Sequence, residues 1–207
     1  MRKTMAGIAD EYAEDMLKNA VTIGAKQCVI LDGTSDSFLR RRPQWLKETK
    51  VFELDGEEVL AQKLARTDRE NCREGTLLLP YGGAVGYGQA LRACRQYDPG
   101  CSTLLIAVGR PLPLPGAEAT EAVNALSGLL GVGSSAVLAV PMGHPLDGGW
   151  EEAGLTRLLS AGGFLIYELL TEAQAKDRYW LPYARTFRRY CEALPAGCGL
   201  CLAVKHR

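Results

Sequence analysis

The chain is 207 residues long, 47% of them hydrophobic, with 24 basic and 24 acidic side chains and a formal net charge of zero. That balance excludes a general nucleic-acid or anionic-membrane surface, since both draw on an excess of Lys and Arg, and the length suits one domain, 1–207, with a core of ordinary size. No apolar run approaches the ~20 residues of a membrane-crossing helix, and the opening MRKTMAGIADEYAEDMLKNA turns acidic where a signal peptide would be apolar, so the expectation is a cytoplasmic protein.

The first predicted element is a helix over 8–21, with Ile8, Tyr12, Met16 and Ala20 at helical spacing. Residues 28–31 form a short apolar run, too brief for a helix, which breaks at Asp32-Gly33-Thr34-Ser35-Asp36; small residues there let a ligand approach the backbone. A short helix follows, carrying Arg40-Arg41-Arg42, and then a second strand over 51–55 alternates apolar and acidic residues and ends in Glu53 and Asp55. In doubly wound sheets ligands bind at the carboxyl ends of the strands, and an acid roughly 20 residues after the first turn commonly grips ribose hydroxyls.

Further along, Gly56-Glu57-Glu58 opens a helix over 59–65, with its acids near the positive end. Strands are expected at 76–79, 103–107, 136–140, 164–169 and 200–204, and helices at 84–96, 117–130 and 151–161. This alternation implies an α/β fold with a single doubly wound, mostly parallel seven-stranded sheet, helices on both faces, and an antiparallel strand in the closing pair.

Several features carry two readings. Asp32 either repels or pairs with charged ends of a ligand, or caps the helix that begins near Ser35. The loop at 82–88, GGAVGYG, follows a strand and precedes a helix, so its N–H groups could cradle an anion; it lacks the ending of a P-loop and the spacing of a dinucleotide fingerprint, and a tightly packed turn is the plainer reading. His144 follows the fifth strand with Asp147 close by, and is either a general base over the cleft or a loop histidine with local hydrogen bonds. The triple arginine is a solvated face or an attractor of acidic partners, and 179–183, YWLPY, lines a pocket or a subunit contact. Ser134-Ser135 lacks a nucleophile elbow. The seven cysteines have no framework spacing, and Cys198-x-x-Cys201 lacks the full ligand set a zinc site needs, which favours structural thiols and no metal.

The stretch Gln27-Cys28-Val29-Ile30-Leu31, then Asp36-Ser37, then Val51-Phe52-Glu53-Leu54-Asp55 resembles the cofactor-binding start of the leucine carboxyl methyltransferase family, which includes polyketide-type O-methyltransferases. There the pattern is Q-V-V-I-L-G-A-G-L-D-T-R followed by V-F-E-V-D. A second match runs from Tyr97-Asp98-Pro99 through 104–109 and Leu112-Pro113-Leu114 into a helix with Glu121-Ala122-Val123, so the likeness spans about 14–141. The resemblance implies the Rossmann-like S-adenosylmethionine-dependent methyltransferase fold and O-methyl transfer to a carboxylate or hydroxyl of a small molecule or peptide. Of the family's expected contacts to S-adenosylmethionine only Asp36 and Asp55 survive; Asp32, Gly33, Glu53, Tyr81 and Gly82 are further candidate contacts by their position at the strand ends, Tyr81 or Tyr87 is available to stack on adenine, and His144 is the candidate catalytic residue.

The departures are equally specific. Asp32-Gly33-Thr34 stands for the family's Gly-Ala-Gly, Val108 for the acid of A-E-G, and 80–83, PYGG, for an expected Asp-Leu pair, while the arginine expected before the first helix has no equivalent near 7–11. The chain also has less sequence before the sheet than the family's larger members. An inactive pseudoenzyme or binding module, working as a homodimer or with a protein partner, is therefore the alternative to the methyltransferase. A binder of another nucleotide or anion through 82–88 is the third reading.

Overall fold

The computed structural model describes residues 6–33, 44–66, 76–82, 86–143, 148–180 and 197–207. In chain order these form α1 (Ala6–Thr22), β1 (Gln27–Leu31), a 3-10 turn (Gln44–Leu46), β2 (Lys50–Gly56), α2 (Glu57–Arg66), β3 (Thr76–Tyr81) and α3 (Gly86–Ala93). The second half adds β4 (Thr103–Ala107), α4 (Ala117–Ser127), β5 (Ser135–Pro141), α5 (Glu152–Ala161), β6 (Phe164–Leu170), α6 (Glu172–Ala175) running into a π-helical turn (Lys176–Trp180), and β7 (Cys198–Lys205).

The seven strands lie in the order β3-β2-β1-β4-β5-β7-β6. The first five are parallel, and β7 is inserted antiparallel to both β5 and β6. β1 and β4 are buried along their whole length, because parallel strands covered on both faces can be apolar at every position. Val29, Leu31, Phe52, Leu54, Leu105 and Ala107 point to one face, where α3, α4 and α5 supply Leu91, Val123, Leu126 and Leu155. Cys28, Ile30, Val51, Leu104 and Ile106 point to the other, against Ile8, Tyr12, Met16 and Leu17 of α1 and Ala175 of α6. One side chain fastens the lower end of the sheet. Buried Gln27 donates to the Asp98 carbonyl at 2.7 Å and to Thr103 Oγ1 at 3.1 Å, and its Oε1 accepts the Asp98 N–H at 2.9 Å.

All seven strands stand where they are expected, most of them longer by one or two residues at an end. Two helices differ more. The helix expected over 117–130 stops at Ser127, where the Gly128 N–H bonds back to the Asn124 carbonyl and a turn drives Leu129 and Leu130 into the core. The helix expected over 84–96 closes at Ala93, and turn bonds from Cys94 to the Leu91 carbonyl and from Tyr97 to the Cys94 carbonyl follow it. α6 was not anticipated. Its start is a capping box in which Thr171 Oγ1 accepts the Gln174 N–H and the Gln174 side chain accepts the Thr171 N–H.

Candidate functional site

At the carboxyl end of β1 the chain turns sharply at Asp32, whose φ of 48° puts a non-glycine residue in the left-handed region. Asp tolerates this better than most residues. The turn is tied to β2 by the Asp32 N–H, which donates to the Leu54 carbonyl at 2.9 Å. It is crowded from both sides. A Cβ on Gly33 would lie 3.0 Å from Glu53 Oε1, and one on Gly109, just after β4, would lie 2.0 Å from the Asp32 carbonyl oxygen.

Glu53 and Asp55 share one face of β2, as the two-residue period of a strand requires. Their side chains are 6% and 1% exposed. α2 lies over that strand end and sends Lys63 back across it. Lys63 Nζ donates to Glu53 Oε1 at 2.9 Å, to Asp55 Oδ2 at 2.7 Å and to the Gly33 carbonyl at 2.6 Å. An ammonium carries three N–H donors, and among the described residues three acceptors meet it here. Asp55 Oδ1 is buried and has no hydrogen-bond partner among the described residues. Burial pushes the Asp55 carboxyl above its ordinary range, and Lys63 pulls it back only in part. Burial works against the Lys63 ammonium as well, yet its hydrogen bonds to Asp55 and Glu53 prevail and hold it above the usual lysine range.

A second cluster bridges β1, β3 and the end of β4. The Tyr81 hydroxyl donates to Asp32 Oδ1. Arg110 Nη1 donates to Asp32 Oδ2 and to the Tyr81 hydroxyl oxygen, each at 3.0 Å. Burial, and next the hydrogen bond to Asp32, push the Tyr81 phenol up to about 12. Its ring meets Tyr87 edge to face, with centroids 6.1 Å apart and planes at 88°.

Of the residues singled out in the sequence, Asp32, Gly33, Glu53, Asp55 and Tyr81 thus converge at the carboxyl edge of the sheet, and Gly82 follows directly with open space around it. Asp36 and His144 lie outside the described residues, as do Arg40 to Arg42 and the middle of the loop at 82–88. Tyr81 and Tyr87, expected to stack on adenine, are both buried, 7% and 4% exposed, and their rings lie against one another. Asp32 spends its two carboxylate oxygens on Tyr81 and Arg110. Tyr179 packs edge-on against Tyr12 of α1 at 5.9 Å, and 181–183 lie outside the described residues.

Cys198 and Cys201 are both buried and free, and they belong to the cores on opposite faces of β7, so one ion cannot bridge them. Burial raises both thiols, Cys201 to about 12, as suits packing side chains.

Lys63 and Arg110 are the site residues that sequence reasoning missed. A signal for Lys63 was present: two carboxylates on one face of a buried strand demand a cation, and the next helix carries one at mid-length.

The fold is that of solved methyltransferases. TnmH superposes with a TM-score of 0.58 at 13% identity over 98% of this chain and 56% of that one. Phosphoethanolamine N-methyltransferase 1 of Haemonchus contortus, solved with phosphoethanolamine and S-adenosylhomocysteine, gives 0.61 at 12% identity over 99% of this chain and 41% of that one. N-methyltransferase NodS of Bradyrhizobium japonicum gives 0.56 at 11% identity over 97% of each. The chain therefore spans about half the length of the first two and nearly all of the third. No curated protein matches the sequence. The profile of the leucine carboxyl methyltransferase family, whose cofactor is S-adenosylmethionine, matches residues 1–126, more than half of the 207, and the chain belongs to that family.

Proposed function

We propose that this chain transfers a methyl group from S-adenosylmethionine to an oxygen, a carboxylate or hydroxyl, of a small molecule or peptide. The observation that carries the reading is the position of Asp55: a buried carboxylate at the carboxyl end of β2, one strand from the turn at Asp32 and Gly33, with Oδ1 unpartnered among the described residues. The acceptor set suits the hydroxyls of a ribose, and the Gly33 carbonyl and Glu53 suit an ammonium. The fit requires that Lys63 leave, because all three groups now accept from it.

When bound, the cofactor supplies an electrophilic sulfonium methyl, and the rest of the rate comes from alignment of the attacking oxygen. A carboxylate attacks without a base at neutral pH, whereas a hydroxyl needs one, and His144 is the candidate for that role. The chain's own contribution is then to bind and orient.

A second reading, a methyltransferase-fold binding module that has lost the cofactor, is favoured by the Lys63 network itself, since a site closed by its own side chains resists a ligand. Calorimetric titration with S-adenosylmethionine and S-adenosylhomocysteine separates the two. Micromolar dissociation constants support the enzyme; heat signals absent for both ligands, in protein that melts cooperatively, would transfer the case to the binding module.

A further inference from the structure

We infer that Lys63 is an internal competitor for the cofactor: its ammonium occupies the acceptors that the ligand's ribose hydroxyls and ammonium would use, and the site opens only when this side chain swings out. The inference rests on the methyltransferase reading above and concerns how that site is controlled.

Three observations converge on it. The acceptors bonded to Lys63 come from two different strand ends, Gly33 after β1 and Glu53 and Asp55 on β2, so the ammonium sits in the crevice between them and covers neither strand alone. The chemistry matches, because a ribose and an α-amino group present O–H and N–H donors, as an ammonium does. And the competitor can leave. Its side chain is 15% exposed, against 6% and 1% for its acid partners, so it stands at the solvent edge of the network on a flexible four-carbon stem. Rotation of that stem frees the crevice without moving α2. What remains behind is a pair of buried carboxylates in need of donors, which is a reason for a ligand to enter.

The consequence is a conformational tax on binding. If the swung-out state makes up about a tenth or less of the molecules, deleting the side chain tightens the apparent dissociation constant by about tenfold or more. The test is calorimetric titration of S-adenosylhomocysteine into wild type, Lys63→Ala and Lys63→Gln, with far-UV circular dichroism melts to verify folding. A second measurement needs no variant: reductive methylation of lysines in the wild-type chain, read by mass spectrometry with and without saturating S-adenosylhomocysteine. Tighter binding to the folded variants and faster labelling of Lys63 in the presence of the ligand are expected. Equal or weaker binding by the variants, or Lys63 labelled no faster with the ligand present, overturns the inference and leaves the methyltransferase reading standing. Binding absent in all three proteins removes that reading and the inference together.

Discussion

Lys63 Nζ lies 2.7 Å from Asp55 Oδ2, and through this contact a helix following β2 neutralises the strand end it follows. The carboxylate is 1% exposed, so its charge has little water to fall back on. Removing one partner of such a pair costs far more than a surface contact would, because the other charge is left buried.

Lys63→Ala should therefore lower stability by about 3 kcal/mol, a drop in thermal midpoint of about 9 °C at a length near 200 residues. Urea unfolding at neutral pH checks this. A loss under about 0.5 kcal/mol, the ordinary scale for a surface change, would show that the pair is solvated in solution.

The same pair sets an alkaline response. Lys63 titrates above its ordinary value of 10.5 in the folded chain, because the hydrogen bonds to Asp55 and Glu53 outweigh burial. A folded value above the unfolded one means that its stabilisation is complete below 10.5 and is lost as pH rises through the folded value. The stability difference between wild type and Lys63→Ala should be level between about pH 8 and pH 10 and then shrink. Tyr81, raised to about 12, loses stabilisation in the same direction but does so in both proteins, so it cancels in the difference. A gap that stays constant to about pH 11.5 would contradict the assignment.

Asp55→Asn should weaken S-adenosylhomocysteine binding by more than tenfold, since a hydrogen bond to a charged acceptor is worth about 1.5–3 kcal/mol. Its folding cost should be smaller than that of Lys63→Ala, because burial already disfavours the charged form of Asp55. Comparing calorimetric affinity with the thermal midpoint separates the two effects, and an unchanged dissociation constant would remove Asp55 from the binding site.

In the neighbouring cluster the hydroxyl should matter more than the guanidinium. The Arg110 and Asp32 side chains are 41% and 29% exposed, so their ion pair is screened and worth about 0.5 kcal/mol. Tyr81 is buried and bonds a carboxylate, so Tyr81→Phe should cost about 1.5 kcal/mol. Chemical denaturation of Tyr81→Phe and Arg110→Ala gives the order, and a larger loss for Arg110→Ala would reverse the ranking of burial over charge.

Gly109→Ala should be among the more damaging single-methyl changes, at about 3 kcal/mol. The added Cβ would meet the Asp32 carbonyl at 2.0 Å, a backbone atom that cannot rotate aside. Moving it disturbs a turn already in the left-handed region. A variant as stable as wild type would mean that the ends of β1 and β4 can part freely.

The strands and their class are legible in the residues alone. Seven short apolar runs between helical patterns admit little other than a covered parallel sheet, and Glu53 and Asp55 were bound to share a face because a strand has a period of two. The capping box at Thr171 is equally legible, as a Thr followed three residues later by Gln174. Which charges meet is settled by the assembled fold. Lys63 finds Glu53 and Asp55 ten and eight residues back, across the turn from strand to helix, and Arg110 finds Asp32 at a separation of 78 residues. A strand's facing follows from local backbone geometry, whereas the reach of a long flexible side chain depends on how its helix docks on the sheet. That docking is set by the summed packing of both cores, which no short window of residues contains.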